Sequence, residues 1–343
     1  MRRVRDWHFC GLFSGFTFIK IVIFTLIPSC GGTGSGQDTP QAFQLSDPNL
    51  AVENELLVNN NYGDDQQSTT VESTNVEPSI RHPVTIVPIQ WGVHSQQYAE
   101  LYTPETEGEN LPVVVMIHGG CWYSSYTLNL QAGLSLALAE RGFAVWNIEY
   151  RSLGNGGEWP TMFSDVASAT DFLPSIAHQY KLDLSSVISM GHSAGGHLAL
   201  WLGSRNALSQ NDILYSSQAL TIKGVLSLAG ITNLQAGVCG SASYAIIDAF
   251  GLPQDELFLR LASTSPIHML PTGIQTTLIS GSNDGIVPPS VSASYTAAAK
   301  KAGDSSEHIE IEDADHFYLI NENLIDIDLL EKQLRRMLSQ DDE

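Results

Sequence analysis

Val187-Ile188-Ser189-Met190-Gly191-His192-Ser193-Ala194-Gly195-Gly196-His197-Leu198-Ala199-Leu200-Trp201-Leu202 passes from one apolar run, through close-set glycines, into another. The first part, 187–190, suits a buried strand, and 194–203 suits a helix that opens on small residues. Between them, Gly191-His192-Ser193-Ala194-Gly195 fits G-x-S-x-G, a sharp strand-to-helix turn with a serine at its apex. Side chains two positions before and after that serine would collide, which is why both positions need glycine. A structural serine needs neither. Ser193 is therefore the candidate nucleophile, expected at the carboxyl edge of a sheet beside the positive end of a helix.

Outward from this turn the chain alternates strands and helices. Segments 84–88 and 97–102 read as an opening antiparallel pair, and Val113-Val114-Val115-Met116-Ile117 as a strand buried on both faces. A helix over 128–141, a strand over 143–148 and a helix over 161–173 precede the turn. Strands at 222–228, 276–280 and 308–311 and helices at 290–302 and 323–338 follow it. Short crossovers in a βαβα order predict an α/β fold with a mostly parallel, doubly wound sheet flanked by helices. The stretch 231–275 is the one insertion able to form a partial lid, too short for a large one.

Three further motifs fall where strands are expected to end. His118-Gly119-Gly120-Cys121-Trp122 follows the strand at 113–117, and its glycines let backbone N–H groups face a developing oxyanion. Gly119, Gly120 and Cys121 are the candidate donors, with Ala194 supplying a second N–H. His118 reads as a brace for this loop, Trp122 and Tyr123 as pocket walls, and His192 as a possible substrate contact. Asp284, in the turn after 276–280, is the expected acid of a triad, and His316, after 308–311, the base. Asp313 and Asp315 are rival acids, but as close sequence neighbours of His316 they reach its ring poorly. An internal ion pair of Arg151 with Asp165 is expected, while His82, His94, His178, His197, His268 and His308 read as packing or surface residues.

Together, His118-Gly119-Gly120-Cys121-Trp122, Trp146-Asn147-Ile148-Glu149-Tyr150-Arg151, the turn at 191–195, Asp284 and His316 resemble the esterase branch of the α/β-hydrolase superfamily. That branch includes kynurenine formamidase and bacterial feruloyl/acetyl-xylan esterase-like proteins. The order serine, acid, histidine agrees with it, and the resemblance covers roughly 110–320. It departs from the pattern in its acidic N-terminal spacer and in the cysteine at 121. The resemblance implies hydrolysis of small acyl esters through an acyl-enzyme, with no cofactor and no metal, on a small-molecule or polysaccharide-borne substrate. Arylformamidase chemistry is the alternative within the same mechanism, although an export signal argues against a substrate made inside cells. A non-catalytic binding module on the same scaffold is the alternative of another class, and such relatives usually lose a triad member. Cys239 lies in the segment that covers the site in this fold. Whether it bridges Cys121 is left open, as is the oligomeric state.

Composition narrows the remaining classes. A net charge of −21 over 343 residues repels nucleic acid phosphates, so no nucleic-acid partner is expected. The four cysteines, at 10, 30, 121 and 239, have no zinc-ligand spacing. Residues 1–30 read as a signal peptide: Arg2, Arg3, Arg5 and Lys20 precede a short apolar run, and Ile27-Pro28-Ser29-Cys30 resembles a lipobox, Pro28 being unusual there. An ordinary signal peptide and an uncleaved anchor over 9–27 are the other readings. All three export the chain, and a lipid on Cys30 would be its membrane contact. Residues 31–80, with eight acidic residues and no Lys or Arg, read as a disordered acidic spacer. The catalytic domain is expected over 81–343.

Overall fold

In a computed structural model of the chain, residues 81–108 and 110–339 are described. The export segment and the spacer read from the sequence lie outside these residues. The expected antiparallel pair forms as β1 (Val84–Gln90) and β2 (Tyr98–Pro104). The apolar run at 113–117 is the body of β3 (Leu111–Ile117), and each of its five residues is at most 1% exposed. Such a strand must be covered on both faces, since a fully buried aliphatic side chain contributes about 1.5–3 kcal/mol. It pairs in parallel with β4 (Ala144–Ile148) on one side and β5 (Leu182–His192) on the other. β6 (Gly224–Leu228), β7 (Gln275–Gly281) and β8 (Ser306–Ile311) extend the sheet in parallel. Among the described residues the strand order is β1-β2-β4-β3-β5-β6-β7-β8, with only β1 and β2 antiparallel to their neighbours.

Helices flank this sheet: α1 (Ala132–Glu140), α2 (Thr161–Asp171), α3 (Leu173–Tyr180), α4 (Ala194–Gly203), α5 (Ala242–Ala245), α6 (Gln254–Thr264), α7 (Pro289–Ala302) and α8 (Ile327–Leu338). Several boundaries shift by a few residues, and three of the differences have a clear physical cause. The single helix expected over 161–173 is followed at once by α3, with Pro174 in its first turn, where a missing N–H costs nothing. β5 begins at Leu182 rather than at Val187. Its polar start is joined to β3 across a register shift, Pro112 pairing with Asp183 and Val113 with Val187. The last helix begins at Ile327, not near 323, because the Asp326 side chain accepts from the N–H groups of Asp328 and Leu329.

The direction of the strands decides where chemistry can sit. β3, β5, β7 and β8 run parallel, so the residues after Ile117, His192, Gly281 and Ile311 emerge on one edge of the sheet. Chain order reverses between β3 and β5, and crevices in open α/β sheets form outside such a reversal.

Candidate active site

Ser193 stands between β5 and α4 with φ 57° and ψ −120°. Its backbone N–H donates to the carbonyl of Leu228 at 2.8 Å, which fixes the apex of the turn. The glycines are there for steric reasons. A Cβ on Gly191 would lie 2.3 Å from the carbonyl oxygen of Gly195, and one on Gly195 would lie 2.0 Å from that of Ile117. Ala194 opens α4, so its N–H has no acceptor within the helix.

His316 and Asp284 reach the same edge from β8 and β7. The Nδ1–H of His316 donates to Asp284 Oδ2 at 2.7 Å, leaving Nε2 as the basic nitrogen. The other carboxylate oxygen of Asp284 accepts from the N–H groups of Ile286 and Val287, each at 2.8 Å. Three donors thus hold a carboxylate whose side chain is fully buried. The rival acids are engaged elsewhere. Asp313 accepts from Asn283, and Asp315 accepts from the N–H groups of Phe317 and Tyr318.

A cavity of about 290 Å³ lies over these groups, with Ser193, His192 and His316 in its wall beside Gly120, Cys121 and Tyr123. Gly119 packs directly on the serine: a Cβ there would come within 3.1 Å of Ser193 Cβ. The expected donors Gly119, Gly120, Cys121 and Ala194 are therefore gathered around Ser193. Trp122 is a correction. It lines no part of this cavity but is 1% exposed and sits edge-on to His197, with ring centroids 5.3 Å apart. Cys121 and Trp122 both have positive φ, and this left-handed turn carries the indole inward while Tyr123 stays at the rim. The rest of the apolar wall, Tyr126, Leu130, Ile286 and Phe317, was not singled out from the sequence. Ile286 and Phe317 adjoin Asp284 and His316 in the chain, a signal that was there to be used.

Cys121 and Cys239 are joined in a disulfide with Cα atoms 5.6 Å apart, tying the glycine loop to the 231–275 insertion. The Arg151–Asp165 pair forms as expected, with two guanidinium contacts at 2.8 and 2.7 Å. His118 braces the loop, Nδ1 bonding the Gly119 carbonyl and Nε2 the buried carboxylate of Glu149. His192 does more than line the wall. Its Nε2–H donates to the backbone carbonyl of His316 at 2.9 Å, holding that residue in position. Burial, and then the charge that His316 carries when protonated, push His192 down to about 3, so it stays neutral at neutral pH. Among the described residues no group of three or more His, Cys, Asp or Glu side chains is arranged to hold a metal.

Residues 99–298, more than half of the chain, match the family model described as BD-FAE. A probable isoprenylcysteine alpha-carbonyl methylesterase of Oryza sativa subsp. japonica is 27% identical over 238 residues, 66% of this chain and 56% of that protein. The chain thus spans little more than half the length of this plant relative. Kynurenine formamidase of Danio rerio is 25% identical over 258 residues, 74% of this chain and 82% of that protein. Among solved structures, esterase B from Lactobacillus rhamnosis superposes with a TM-score of 0.64 at 20% identity, over 76% of this chain and 87% of that one. A truncated carbohydrate esterase from gut microbiota superposes with a TM-score of 0.61 at 19% identity, over 76% and 98%. At these identities the likeness to solved structures is one of fold.

Proposed function

The chain belongs to the BD-FAE family and is a hydrolase of the α/β-hydrolase fold, and we propose that it is a serine carboxylesterase acting on small acyl esters. The observation that carries this reading is the Asp284–His316 bond at the sheet edge where the strained turn presents Ser193, beside the glycine loop. His316 Nε2 takes the proton of Ser193 as its oxygen attacks the ester carbonyl. Backbone N–H groups of the 119–121 loop and Ala194 hold the tetrahedral oxyanion, each donor contributing about 3 kcal/mol. The imidazolium returns its proton to the departing alcohol, leaving an acyl-enzyme. Water, activated by the same nitrogen, then releases the acid and restores the serine.

The apolar wall over Ser193 and the short insertion favour a small acyl group on an alcohol, or on a polysaccharide, that extends into solvent. Formamide hydrolysis is the second reading, favoured by the likeness to kynurenine formamidase over most of that protein's length. A panel of p-nitrophenyl acetate, acetylated xylan, a feruloyl ester and N-formylkynurenine separates the two. The ester reading predicts the highest kcat/KM on an ester. A preference of tenfold or more for the formamide would replace it, and no turnover of any member would favour a binding module.

A further inference from the structure

Glu149 is a buried carboxylate with no part in the proton transfers above. At the end of β4 it is 1% exposed. Its Oε1 accepts from His118 Nε2–H at 3.1 Å and from the Tyr150 N–H at 3.0 Å, and its Oε2 accepts from the Leu128 N–H at 3.1 Å. A carboxylate at this depth is costly unless such donors fill its lone pairs. His118 spends its other nitrogen on the carbonyl of Gly119, at 2.9 Å. Tyr150 stacks on that ring, with centroids 4.4 Å apart and planes 19° from parallel, and its hydroxyl donates to the carbonyl of His118 at 2.7 Å. Buried side chains therefore hold two consecutive carbonyls, those of His118 and Gly119.

Peptide geometry carries this hold to the site. In a trans peptide the C=O and N–H groups point in opposite directions. Holding the Gly119 carbonyl on His118 turns the Gly120 N–H away from that ring, and holding the His118 carbonyl fixes the Gly119 N–H in the same way. Gly119 lies on Ser193 and Gly120 lines the cavity, and neither has a side chain to set its own orientation. We infer that Glu149, His118 and Tyr150 are positioning residues, a buried clamp that aims the Gly119 and Gly120 N–H groups as oxyanion donors. The inference rests on the serine-esterase reading of the same site.

Tyr150→Phe removes one hydroxyl and keeps the stacked ring, and Glu149→Gln removes the charge at constant shape. Each variant is compared with the wild type and Ser193→Ala by hydrolysis of p-nitrophenyl acetate and by inhibition with a trifluoromethyl ketone, which forms a tetrahedral oxyanion on a serine. The clamp predicts a kcat tenfold to about 100-fold lower with KM within about twofold, and ketone affinity weakened by a similar factor. A merely structural role would lower Tm and leave kcat and ketone affinity unchanged, and that result in Tyr150→Phe overturns the clamp. A loss seen wholly in KM overturns it as well. If Glu149→Gln does not fold, Tyr150→Phe decides alone. Ser193→Ala separates the two levels: if it is inert while Tyr150→Phe is fully active, only the clamp falls. If it hydrolyses at the wild-type rate, the serine reading falls and the clamp with it.

Discussion

His197 lies four residues beyond Ser193, inside α4, fully buried with its Nε2–H on the carbonyl of Thr264. Burial pushes it down to about 4, as burial and then His316 push His192 down to about 3. In the unfolded chain both titrate near 6.5. Between that value and about 4 the unfolded state takes up protons that the native state refuses, so stability falls as pH drops through this window. Each group contributes at most about 1.4 kcal/mol per pH unit. His197→Gln retains an N–H donor for Thr264 without a titrating ring. Its Tm should fall less than that of the wild type between pH 7 and pH 5, by calorimetry or circular dichroism. An identical pH dependence would remove His197 from the account. At this scale the sequence was most readable for Ser193, Asp284 and His316, whose neighbours in the chain are glycines and strand ends. It was least readable for Trp122, because nothing in its composition marks the positive φ at Cys121 and Trp122 that turns the indole inward.

The disulfide joins two elements that no hydrogen-bonded strand connects, the loop after β3 and the insertion that carries α5 and α6. Its cysteines are 118 residues apart, and closing a loop of that order removes about 4–5 kcal/mol of unfolded-state entropy in the chain-entropy model. Cys121 also lines the cavity, so the bond constrains the wall beside Ser193. The Cys121→Ser/Cys239→Ser variant should melt several degrees below the wild type, and a reducing agent should lower Tm in the wild type alone. Equal melting of both proteins with and without the reductant would show that the bond does not support the fold. The pairing could not be read from four cysteines, since only folding brings 121 and 239 together. Most strands were legible as apolar runs between turn residues. The start of β5 was not, because Asp183, Ser185 and Ser186 interrupt the run and only the register shift against β3 admits them.

For the whole molecule, a parallel sheet with its chain reversal between β3 and β5 brings loops up to 200 residues apart in sequence to one edge, as His118 and His316 demonstrate. The alternation of strands and helices was enough to expect this architecture. The exact cavity over it was not legible, because its wall is assembled from residues such as Tyr126, Ile286 and Phe317, whose role depends on how distant loops meet. The net charge of −21 bears on solubility, not on the reaction. The central claim is that one serine among the chain's many is the nucleophile. A p-nitrophenyl alkylphosphonate, followed by intact-mass measurement and peptide mapping, tests it directly. A single adduct on Ser193, complete inactivation at one equivalent, and no adduct on Ser193→Ala are expected. An adduct on another residue, or full esterase activity in Ser193→Ala, would contradict it.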